Sequence, residues 1–89
     1  MDTHEQQQRR LVSRLRRVEG QIRGVQGMIE KGSTCEQVAQ QLAAARRALD
    51  RAFYDMIACS MEMELEKAPD AAAVRAAGAH ISQLLARYG

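Results

Sequence analysis

Apolar residues recur at Leu11, Leu15, Val18, Ile22, Val25 and Ile29, alternately four and three positions apart. That spacing predicts a helix over about residues 5–31 with a seam built to pack in a bundle. Gly32-Ser33-Thr34-Cys35-Glu36 then interrupts the pattern. Gly32 is a stop for the first helix. Ser33 and Glu36 read as the S-x-x-E box that opens the next one, over about 34–67. Its seam is Val38, Leu42, Ala45, Leu49, Ala52, Met56, Cys59 and Met63. Pro69 closes it, and Val74, Ala77, Ile81, Leu84 and Tyr88 predict a shorter third helix over about 70–88. The short turn makes the long helices antiparallel, and the second, at roughly 50 Å, outruns the first by about two turns.

A lone hairpin cannot bury two sustained seams. A second copy closes them into a four-helix bundle, so the expectation is an all-α single domain, residues 1–89, acting as a homodimer. Composition agrees: one proline, 3% aromatic residues, and an abundance of Ala, Leu, Arg, Gln and Glu favour helix over strand. A chain of 89 residues has a small core, and oligomerisation is the expected remedy. The two cysteines do not suggest a disulfide scaffold. With no secretory segment and no apolar run of about 20 residues, the expected setting is the cytoplasm, without a membrane partner.

Charge is uneven. Residues 1–51 hold ten Lys/Arg against six Asp/Glu, and residues 52–89 hold three against five. Arg10, Arg14 and Arg17 form one stripe on the first helix, and Arg9, Arg16 and Arg23 form another. Arg46, Arg47 and Arg51 cluster on the second helix, where folding back sets them opposite roughly Arg17–Arg23. One reading is a solvated face with intrahelical partners, which Asp50 and Asp55 supply on the second helix. On the first helix such acids are nearly absent. The other reading is a phosphate-binding face, for which the planar guanidinium is suited. With no helix-turn-helix, zinc finger or basic zipper, such a protein contacts duplex DNA through a flat helical face.

Cys35 falls at the second position of the second helix if Ser33 is the cap, where the dipole and free N–H groups favour a thiolate. Cys59 lies on the seam and reads either as an inert core residue or as half of a switch. Within one chain the sulfurs stand roughly 36 Å apart. In an antiparallel dimer, Cys35 can meet Cys59 of the other copy through metal, disulfide or persulfide. His4, Met61, Met63 and the acids Glu62, Glu64 and Glu66 complete the candidate ligands, with His4 in a segment expected to fray.

Residues 14–49, RLRRVEGQIRGVQGMIEKGSTCEQVAQQLAAARRAL, strongly resemble the CsoR/RcnR/FrmR family of bacterial repressors. The resemblance rests on Arg14, Gly20, Gln21 and Gly24, then the turn cysteine and Q-x-x-A-x-R-x-A-L. It implies an antiparallel dimer paired into a tetramer, and a repressor that leaves operator DNA when an inducer reaches a site between protomers. DNA contacts carry over to Arg14 and Arg17, with Arg10, Arg46, Arg47 and Arg51 as neighbours. In copper-sensing members the turn cysteine is joined by His and Cys, 25 and 29 residues further on, from the other protomer. Nickel/cobalt sensors have His at both places, formaldehyde sensors keep the first His, and persulfide sensors have Cys at the second. Here those positions are Ser60 and Glu64, and Cys59 falls one residue short. The residues present suit a thiol-based sensor or an atypical Cu(I) or other transition-metal site using Cys35, with Cys59, His4 and Met63 as further candidates. Two other functions compete: a helical interaction module without DNA binding, and a small dimeric enzyme holding a dianion between helices. Against the enzyme, the arginines flank the seams and no paired acid and base is present.

Overall fold

The computed structural model describes residues 3–89. It is all-helical, with no strand among the described residues: α1 (His4–Glu30), α2 (Cys35–Lys67) and α3 (Ala71–Tyr88). Each helix begins where a side chain satisfies its first free amides. Thr3 caps α1 in a reciprocal box: the Gln6 N–H donates to Thr3 Oγ1 at 3.2 Å, and the Thr3 N–H donates to Gln6 Oε1 at 2.9 Å. The first turn expected to fray is therefore tied down. Asp70 caps α3, accepting from the Ala73 N–H at 2.8 Å.

The turn between the long helices corrects one expectation. The N-cap of α2 is Thr34, not Ser33, and its partner in the box is Gln37, not Glu36. Ser33 belongs instead to the end of α1, where its N–H donates to the Met28 carbonyl at 2.9 Å while the Gly32 N–H donates to Ile29 at 3.1 Å. That pair of bonds is a Schellman motif, and it needs a left-handed residue, supplied by Gly32 at φ 79°. Since Ser33 is spent closing α1, the cap moves on by one residue. Cys35 becomes the first residue of α2 rather than the second.

The seams divide into two rows of different fate. Val18 and Val25 on α1, with Ala45, Ala52 and Cys59 on α2, are buried where the antiparallel helices touch. Leu15, Ile22 and Ile29, with Leu42, Leu49 and Met56, remain exposed, Ile29 at 60% and Leu49 at 50%. Within each row residues lie seven apart, so one half of each heptad faces the chain's own hairpin and the other half faces outward. The small residues Ala45 and Ala52 let the hairpin close tightly. α3 packs on α2 and not on α1, burying Ala77 and Ile81. His80 Nδ1 meets Glu64 Oε1 at 2.5 Å across that contact. The Cα trace measures 58 × 27 × 14 Å, a slab one helix thick.

Candidate sensing cleft and basic face

At the open end of the hairpin the first turn of α1 lies against the last third of α2, and a cleft of about 860 Å³ lies there. His4, Arg10, Arg14, Arg51, Asp55, Met56, Cys59 and Met63 all contribute to its wall. The Thr3–Gln6 box holds His4 at the first position of α1, which puts its Nδ1 3.5 Å from the buried Cys59 Sγ. The Cys59 thiol donates to Gln7 Oε1 at 3.3 Å, and the Gln7 amide in turn donates to Glu62. One relay of polar groups thus runs from His4 through Cys59 and Gln7 to Glu62. With the thiol proton on Gln7, the imidazole satisfies the sulfur best as the Nδ1–H tautomer.

Cys59 is thus buried, as a seam position implies, and yet has polar partners on α1. Cys35 is at the other end of α2 and exposed. Of the candidate metal ligands, His4, Cys59 and Met63 share the cleft, whereas Cys35 and exposed Met61 do not line it. Among the described residues no three His, Cys, Asp or Glu side chains come together as a metal-binding group. Glu64 is turned toward His80, with its other oxygen buried and unpaired. Ser60 lines the cleft.

The arginines divide in a way that sequence spacing did not show. Asp55, on α2, takes a guanidinium on each oxygen: Arg14 Nε from α1 at 2.9 Å and Arg51 Nε from one turn earlier on α2 at 3.2 Å. Arg14 thus has an acidic partner, one that comes from the other helix. The half-buried position of Arg14 and Asp55 makes this more than a fully solvated surface pair. Arg9 pairs loosely with Glu5 at 3.7 Å. Arg17, Arg46 and Arg47 are exposed and form no ion pair among the described residues. Arg10 lines the same cleft as Cys59.

A layer of three helices thus sets a pair of arginines beside a buried thiol. The family of metal-sensitive transcriptional repressors matches residues 7–87, and the chain belongs to that family. It is a family of repressors, not of enzymes, which sets aside the dianion-binding enzyme. No curated protein and no solved structure matches the chain. Among the described residues no helix is long and apolar enough to cross a membrane.

Proposed function

We propose that this repressor binds operator DNA from the cytoplasm through Arg10, Arg14, Arg17, Arg46, Arg47 and Arg51, as a homodimer that pairs into a tetramer. The observation that carries this reading is the seat built by Asp55. One carboxylate holds Arg14 and Arg51 from two helices side by side, so their spacing is set before any phosphate arrives. Exposed Arg17, Arg46 and Arg47 extend the basic surface. The dimer is supported by the outward row of Leu15, Ile22, Ile29, Leu42, Leu49 and Met56 on a slab one helix thick. Covering the exposed half of each is worth about 1 kcal/mol. Summed over two chains, that is on the order of the cost of association.

The inducer acts at Cys35, which meets the far end of α2 from a second copy, Cys59 included. Exposure at the first position of α2 leaves the sulfur open to an inducer and to another copy. In this reading the further ligands of Cys35 come from another protomer. Cys35 of one chain and Cys59 of another would hold a metal, which would add a link between the two chains.

Fluorescence anisotropy with duplex DNA from the protein's own promoter region tests the reading. Affinity falls steeply with salt, and Arg14→Ala or Arg17→Ala each reduces the slope of log K against log salt by about one unit. Cys35→Ala binds the same DNA and no longer responds to inducer. Equal affinity for promoter and unrelated DNA would favour the interaction-module alternative.

A further inference from the structure

The cleft at the open end contains a set of soft donors of which the inter-protomer reading of Cys35 uses Cys59 alone. Met56, Cys59 and Met63 lie at i, i+3 and i+7 on α2, one stripe of three sulfurs along the cleft. His4 faces that stripe from α1, its Nδ1 3.5 Å from the Cys59 sulfur. A thiolate and an imidazole bound to one first-row ion at about 2.3 and 2.1 Å stand roughly 3.6–3.8 Å apart, for angles between tetrahedral and trigonal. The two groups are therefore within a few tenths of an ångström of sharing an ion, with no change in the helices. The hard ligands nearby are engaged elsewhere: both Asp55 oxygens hold arginines, and Glu62 accepts from Gln7.

We propose that His4, Cys59 and Met63 form a second ligand site, contained within one protomer, for a soft monovalent cation, Cu(I). Thiolate and thioether donors select that ion. The surrounding charge agrees, because Arg10, Arg14 and Arg51 outnumber Asp55 along the cleft wall. Such a setting disfavours a dication, whereas a thiolate neutralises a monocation. On binding, the Cys59 thiol gives up its proton to solvent, Gln7 loses the hydrogen bond it accepted, and the His4 ring exchanges its Nδ1 proton for one on Nε2 through solvent, so that sulfur and Nδ1 each have a lone pair to donate.

The test is an anaerobic titration of the reduced full chain carrying Cys35→Ala, with Cu(I) delivered from a chromogenic chelator. That variant retains one Cu(I) per chain, and X-ray absorption reports both nitrogen and sulfur neighbours. Adding His4→Ala removes the nitrogen signal and weakens binding by at least about tenfold, the scale of loss even for an outer-shell partner. Adding Met63→Leu weakens it by a smaller factor. Cys59 is buried, and Cys59→Ala can disturb folding, so the exposed His4 is the deciding position. The proposal is overturned if Cys35→Ala binds no Cu(I), if His4→Ala leaves the affinity unchanged, or if equimolar Zn(II) displaces the ion. Metal-free promoter binding by Cys35→Ala, measured on the same preparation, judges the repressor reading separately.

Discussion

At the open end of the hairpin Thr3-His4-Glu5-Gln6 starts α1, and at the turn Thr34-Cys35-Glu36-Gln37 starts α2. Each helix therefore carries a metal-ligand type of side chain at its first position, fixed by the same Thr/Gln box. Their surroundings differ. His4 faces buried Cys59 across the interhelical contact, whereas Cys35 projects from a turn with no partner helix beyond it. The local signal is the same at both ends. What differs is whether the chain's own fold brings a second ligand opposite, and at the turn the proposed function assigns that task to another copy.

The comparison breaks most severely if the outward seam is charged. Ile22→Asp with Leu49→Asp places carboxylates where the second copy packs, at a cost of several kcal/mol. Sedimentation equilibrium should show loss of self-association, and promoter binding and the Cys35 response should go with it. A double variant that stays dimeric means the interface lies elsewhere.

Removing each cap separates the two ends more finely. Thr3→Ala costs about 1 kcal/mol at the start of α1. His4 is then no longer held over Cys59, and alkylation of Cys59, followed by mass spectrometry, speeds up by about fivefold, the equivalent of that free energy. Thr34→Ala costs a similar amount, yet Cys35 is exposed already and its alkylation rate stays within about twofold. Equal acceleration at both thiols would mean that the open end is no more ordered than the turn.

Gly32→Ala tests the geometry that sets the two ends apart. A side chain at φ 79° is strained by about 1 kcal/mol, which lowers the melting temperature by roughly 4–8 °C for a domain of this size. The smallest effect is expected at His80→Ala. Its contact with Glu64 is half exposed, so the melting temperature scarcely moves while amide exchange in α3 rises.

Much of the architecture was legible in local pattern. Helix spacing, the Gly32 stop and Pro69 place all three helices to within a residue or so of their observed ends. Two helix starts differ from the local reading, and both are T-x-x-Q boxes. S-x-x-E at Ser33 competed with T-x-x-Q at Thr34, and the Schellman closure of α1 decided between them by taking the Ser33 amide. T-x-x-Q at Thr3 was equally visible and would have argued against a frayed His4.

The sequence by itself determined three helices, their antiparallel turn, two heptad seams and a basic first half, because periodicity, caps and charge act over a few residues. Tertiary structure alone decided which half of each seam faces its own hairpin and which faces outward. It also decided that Asp55 joins Arg14 to Arg51, and that His4 meets Cys59 across 55 positions of chain. Those pairings depend on the register of α1 against α2. That register is set by the closure at Gly32 and by the burial of Val18 and Val25 on one helix and Ala45 and Ala52 on the other, which no local spacing encodes.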